Sequence, residues 1–345
     1  MTGYLKRVYR KVRVIAQYSR VIKSGFAALK KEGKTPEAAY LTMRRLFVET
    51  RGRSNDIISL LIRKKPYANV DKAGVLGFKS DAEFSAAVDD IRQNGFHIFD
   101  TKLPDDTINA IVEYARVTPT RFRQIPDEDD APFSISFSPD VIFDEKNPAS
   151  PVYQFSNQRV FESKELQKII FDQSLLAFAQ AYLNTKPVLD LIAMWWSAPF
   201  KGRGKSEAAQ MYHFDLDRIK FIKFFFYLTD VDTETGPHCY VRASHKRLPP
   251  ALQKEGRLTD AEVLKAYGKE NLLELCGKRG TIMAVDTRGL HKGKDLTRDK
   301  RLIFQVEFAN SMFGQTYPPC KKGKLPDELE EKYKKYFDTY SHTIA

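Results

Sequence analysis

After Lys186 the chain changes character. Five runs, PVLDLIAMWWSAP (187–199), RIKFIKFFFYLTD (218–230), HCYVRAS (238–244), GTIMAVDTR (280–288) and RLIFQVEFAN (301–310), are dense in β-branched and aromatic residues, with turn-forming stretches between them. A polar stretch at 249–278 interrupts them and reads as a helical insertion. Upstream lies helical sequence. SDAEFSAAVDDIRQNGFHIFD (80–100) reads as a capped amphipathic helix, stopped at Asn94-Gly95 and followed by a strand. LPDDTINAIVEYARV (103–117) and SKELQKIIFDQSLLAFAQAYL (163–183) read as further helices. Helices leading into short, mostly antiparallel strands predict an α+β fold around a double-sheet barrel or jelly roll.

The first 65 residues hold 17 Lys+Arg against 4 Asp+Glu, a net of +13, whereas the whole chain of 345 residues has a net charge of +12. The basic character therefore belongs to the N-terminal segment alone. Within it, Leu5, Val8, Tyr9, Val12, Ile15 and Ile22 recur at helical spacing. Helices are also predicted from about Pro36 to Val48 and from Asp56 to Arg63, and KKPYANVDKAGVLG (64–77) reads as a linker. This gives a basic helical segment with linker over 1–79 and a second unit over 80–345, with the β core at about 186–315. A basic face beside an apolar stripe has two readings: packing on the domain, or peripheral contact of residues 1–31 with anionic membrane. Nucleic-acid binding lacks a reader motif. Cys239, Cys276 and Cys320 are too few and too scattered for a disulfide framework, which favours a cytoplasmic setting. No apolar run is long enough to predict a spanning helix.

The chemistry starts at His213 and Asp215. Residues i and i+2 of a strand share a face, so an imidazole and a carboxylate can be presented together. Far downstream lies His291, and ten residues beyond it Arg301 opens the next strand. Two histidines and one carboxylate with open positions opposite match the ligand set of non-haem Fe(II) oxygenases. A guanidinium such as Arg301 suits the distal carboxylate of a chelating oxo acid.

HFD at 213–215, LTDVDTETGP…ASHK at 228–246 and DTRGLH followed by Arg301 resemble the phytanoyl-CoA dioxygenase family of Fe(II)/2-oxoglutarate oxygenases, over about residues 85–315. The resemblance implies a double-stranded β-helix (jelly roll, cupin-like) core with flanking helices. It also implies iron bound by His213, Asp215 and His291, 2-oxoglutarate bound by Arg301, and dioxygen as oxidant. Met194 matches a strand residue lining the 2-oxoglutarate pocket. The chain departs from the family pattern at Ala243, where glycine is common, and at Gly293, where some members carry a hydroxyl.

Other residues near these motifs read differently. Asp217 lies too far along a strand from His213 to share a metal. His238 and His245 read as structural residues of a connecting turn. Trp195 and Trp196 cannot both face inward, and Trp196 is assigned to the substrate mouth. Lys292, Lys294, Arg298 and Lys300 hint at an anionic substrate. The expected activity is hydroxylation of a small-molecule or lipid- or glycan-linked substrate, coupled to decarboxylation of 2-oxoglutarate to succinate. The alternative is a non-catalytic barrel that binds small molecules.

Overall fold

A computed structural model describes residues 3–124, 136–200 and 211–345, with side chains from residue 13 onward apart from those of 124 and 136. The chain begins with three helices, α1 (Gly3–Glu32), α2 (Glu37–Thr50) and α3 (Arg53–Leu61). After the stretch over 64–77 come α4 (Asp81–Asn94), β1 (Phe96–Lys102) and α5 (Asp105–Val117). The boundaries of α4 follow from its caps. Ser80 Oγ accepts the Glu83 N–H, and Gly95, at a φ of 88°, closes the helix by donating to the Ile91 carbonyl.

Three short strands, β2 (Arg123–Gln124), β3 (Ser136–Phe137) and β4 (Val152–Gln154), lead to helices α6 (Asn157–Glu162), α7 (Lys164–Ile170) and α8 (Gln173–Leu183). The sheet-rich part then runs through β5 (Val188–Ser197), β6 (Phe221–Tyr227), β7 (His238–Val241), α9 (Asp260–Tyr267), β8 (Leu272–Leu275), β9 (Thr281–Val285), β10 (His291–Gly293) and β11 (Arg301–Ala309). Helices α10 (Asp327–Lys335) and α11 (Phe337–Tyr340) end the chain. The insertion at 249–278 holds a helix as expected, but it also contributes β8, which the polar composition concealed.

Beside the short antiparallel pair β2–β3, two larger antiparallel sheets result. The larger has the order β1-β9-β6-β11-β5-β4 and the smaller β10-β7-β8. They face one another: Phe225, Tyr227, Met283, Val285 and Ile303 of the large sheet pack with Tyr240 and Leu275 of the small one. Helices cover the opposite face of the large sheet, where Phe224, Phe226, Phe304 and Phe308 join residues of α4, α5, α7 and α8 in one cluster. The fold is therefore α+β with two facing sheets. Among the described residues no continuous ladder closes them into a barrel; the further pairings are isolated bridges such as His213–His291 and Val231–Gly277.

The stripe of α1 is accounted for from Ile15 onward. Ile22 is buried and Ile15 packs beside it, in a cluster with Ala39, Met43 and Leu46 of α2 and with Ile219 and Phe313. The side chains of Leu5, Val8, Tyr9 and Val12 lie outside the described residues. No helix among the described residues is long and apolar enough to cross a membrane.

Candidate metal centre

The segment 212–216 is extended and alternates strictly. Tyr212, Phe214 and Leu216 enter an apolar cluster, while His213 and Asp215 face the space between the sheets. The pairing is local. His213 exchanges backbone hydrogen bonds with His291, at 3.0 and 2.9 Å, and the Asp215 N–H donates to the Thr287 carbonyl at 2.8 Å. His291 lies six residues beyond the end of β9 and opens the short strand β10. The turn between is fixed by Asp286, which accepts from the Arg288 backbone N–H and from its guanidinium. Ser244 Oγ accepts the Leu290 N–H at 2.7 Å, so the Ser-His segment supports the backbone beside His291. Gly289 is required there, because a Cβ would lie 2.1 Å from Tyr240 Oη. Ala243, the departure noted in the sequence, sits at a φ of 59°, a left-handed conformation that glycine adopts at less cost.

His213, Asp215 and His291 each offer a ligand atom, and these atoms lie within 4.8 Å of one another. Asp215 Oδ1 is 3.8 Å from His213 Nε2 and Oδ2 is 3.4 Å from His291 Nε2. Each ring places Nδ1 3.0 Å from a backbone carbonyl, of Met211 for His213 and of Gly289 for His291. A proton on Nδ1 satisfies those carbonyls and leaves both Nε2 lone pairs turned to the common point, the usual outer support of metal-ligating histidines. Burial, then the neighbouring His291, pushes the pKa of His213 down to about 3, so the ring is unprotonated and able to ligate at neutral pH. Burial alone would raise Asp215, but the Lys223 ammonium and His291 hold it well below the carboxylate range. Two imidazoles and one carboxylate make a donor set that fits a divalent transition metal such as iron. Asp217 is not part of this group.

The three ligands open onto a cavity of about 590 Å³ between the sheets. Arg301 lines it from the start of β11. The guanidinium is buried, its Nη2 donates to Ser197 Oγ at 3.2 Å, and its Nε has no partner. Neither Asp286 nor Asp299 takes it. Asp286 is engaged by Arg288 and Tyr182, and Asp299 by Arg298. A buried, under-paired guanidinium facing a cavity is suited to an anionic ligand.

Two expectations are corrected. Met194 and Trp196 do not line the cavity; both are 1% exposed and point into the helix-covered face. Trp196 donates to the Ala115 carbonyl and stacks on Phe143 at 5.0 Å. The cavity is lined by the alternate residues of β5, Leu191, Ala193 and Trp195. The basic loop also changes meaning. Lys292 pairs with Asp260, Lys294 with Glu274, Arg298 with Asp232 and Glu234, and Lys300 with Glu145, so these cations are already matched.

Two cavity residues escaped the sequence reading. Lys223, in the middle of β6, contacts Asp215 Oδ2 at 2.7 Å and lies 3.5 Å from Glu307. The signal was present: a lone lysine inside the apolar run FIKFFFY is either on an exposed face or paired with buried acids. The other is His238. It lies on β7 rather than in a turn, and lines the cavity beside His291.

No family model matches this sequence, and a comparison with curated proteins gives no match. Several solved structures are similar in part. The non-heme alpha-ketoglutarate-dependent epimerase SnoN from nogalamycin biosynthesis is 14% identical, with a TM-score of 0.48, covering 66% of this chain and 84% of that one. AviO1 from Streptomyces viridochromogenes Tue57 is 17% identical, with a TM-score of 0.45, over 73% of this chain and 100% of that one. HygX from Streptomyces hygroscopicus, with nickel and 2-oxoglutarate bound, is 15% identical, with a TM-score of 0.45, over 71% and 92%. Likenesses of this degree leave the chemistry of this chain to its own residues.

Proposed function

We propose that this protein is an Fe(II)/2-oxoglutarate-dependent oxygenase that hydroxylates an organic substrate, with a core of the double-stranded β-helix type as in the phytanoyl-CoA dioxygenase family. The observation that carries this reading is the convergence of His213, Asp215 and His291 at one end of a cavity that also holds the under-paired Arg301. A ferrous ion there would supply dioxygen activation, with 2-oxoglutarate as the reductant. His213 and His291 would hold the ion through Nε2, their Nδ1 atoms tied to backbone carbonyls. Asp215 would hold it through one carboxylate oxygen while Lys223 takes the other. Arg301 would receive the distal carboxylate of the oxo acid with charge-assisted hydrogen bonds. The two sheets and their helices exclude bulk water from that contact. Residues 80–345 would carry this chemistry, and the cavity volume suits the co-substrate together with part of a small organic molecule.

The substrate is proposed to be polar or anionic, or linked to a lipid or glycan. The paired cations at 292–300 no longer support an anionic group. Arg257 does: Leu258 pairs with Tyr212, which sets Arg257 opposite His213, and it has no ion pair among the described residues. A membrane anchor in α1 is not proposed, because its stripe from Ile15 onward is spent on packing. The test is succinate release from 2-oxoglutarate by the iron-loaded protein with ascorbate. Turnover is expected in the wild type and is expected to vanish in Asp215→Ala. Failure of the loaded protein to bind or consume 2-oxoglutarate would favour a binding module instead.

A further inference from the structure

His238 is a polar ring placed where packing alone would favour a hydrocarbon. Its backbone is locked on β7, opposite Leu275 on one side and Gly293 on the other, and its N–H donates to Tyr227 Oη at 3.2 Å. The ring lies 5.2 Å from the His291 ring and 5.1 Å from Phe225. Nε2 is buried and has no hydrogen-bond partner. Leaving such a group unpaired costs about 1–3 kcal/mol, so an unmatched imidazole on a cavity wall is the mark of a ligand contact.

Register says where that ligand lies. Directly opposite residues of an antiparallel pair have their side chains on the same face. The partner of His238 in β10 is Gly293, two residues beyond the metal ligand His291 and also on the cavity wall. Gly293 contributes no side chain, and a Cβ there would meet nothing within 4 Å. The open space in front of Gly293 is therefore served by one polar group from this pair of strands, the His238 imidazole. The ring stacks beside His291 at 5.2 Å and shares the cavity wall with Arg301, so it faces the space that joins the metal ligands to that guanidinium.

We infer that His238 is a co-substrate-positioning residue: its imidazole hydrogen-bonds the oxo acid that spans from the three metal ligands to Arg301. This rests on the oxygenase reading above. The experiment is an anaerobic titration of the metal-loaded protein with 2-oxoglutarate, alongside metal titration of the same variants. His238→Leu keeps the volume and loses the hydrogen bond, and its 2-oxoglutarate Kd is expected to rise about tenfold or more, the equivalent of one lost hydrogen bond to a charged group. His238→Gln keeps a donor and is expected to recover most of the affinity. Metal affinity should be unchanged in both, since His238 is not a ligand. Wild-type affinity in His238→Leu would overturn the inference. So would an equal loss in both variants accompanied by weakened metal binding, which would make the ring mere support for His291. Arg301→Met separates the levels: if the wild type binds 2-oxoglutarate and only Arg301→Met weakens it, the oxygenase reading stands and the inference falls. If the wild type does not bind it, both fall.

Discussion

The two faces of the large sheet are built from the same strands and do opposite things. On the helix-covered face, β5, β6, β9 and β11 present Met194, Trp196, Phe224, Phe226, Ile282, Phe304 and Phe308, packed without a charged side chain among them. On the cavity face the same strands present Trp195, Lys223, Phe225, Arg301, Gln305 and Glu307, of which three are buried ionisable groups. The first face supplies stability through area removed from water. The second gives up some of that stability, since buried ions must be matched by partners, and carries chemistry in return. Period-two alternation lets one strand serve both ends.

The sharpest way to break this division is in the Trp195–Trp196 pair. Trp196→Ala is expected to destabilise the protein by about 3–5 kcal/mol, because a buried ring is replaced by a void. Trp195→Ala, facing a space that already exists, should cost clearly less and instead alter ligand affinity in the cavity. Urea midpoints and 2-oxoglutarate titrations of the two variants check this. The reverse pattern, with Trp195→Ala the more damaging to stability, would erase the distinction between the faces.

A smaller effect sharpens the cavity side. His213 is held down to about 3 in the fold, whereas an unfolded chain binds a proton on this ring near pH 6.5. Between those values the unfolded state carries more protons. This group's share of stability is therefore complete above about pH 6.5 and is lost as pH falls toward 3. Asp215, depressed by Lys223 and His291, acts in the same direction. Glu307, raised by burial, acts oppositely, its share being lost as pH rises. Comparing wild type with His213→Gln isolates the first of these. In the metal-free protein the variant's stability should fall less steeply between about pH 6.5 and 4, and parallel profiles would contradict the assignment.

The same comparison explains what the sequence could and could not disclose. Strand positions were legible, because apolar runs bounded by turns are a local signal; β5, β6, β9 and β11 lie inside the runs from which they were expected. The converging residues were legible too, since His213 and Asp215 share a face by spacing alone. Facing was not legible inside WW, where both neighbours are aromatic and only the core beyond the sheet decides which turns inward. Met194 and Trp196 were displaced from the cavity by that one-residue ambiguity. The roles of Lys223 and His238 depended on partners distant in the chain, Glu307 and Gly293, and so on register that no local pattern encodes. The acids that neutralise Lys292, Lys294 and Lys300 are likewise distant, at 260, 274 and 145.

The central claim is that His213, Asp215 and His291 hold one ferrous ion at the end of the cavity facing Arg301. Crystals grown anaerobically with iron, with anomalous diffraction collected at the iron edge, address it directly. The account predicts a single strong peak bonded to both Nε2 atoms and to an Asp215 oxygen, absent in Asp215→Ala. A structure with iron in excess and no peak among these three side chains, or with the peak at His245 or another site, would contradict it.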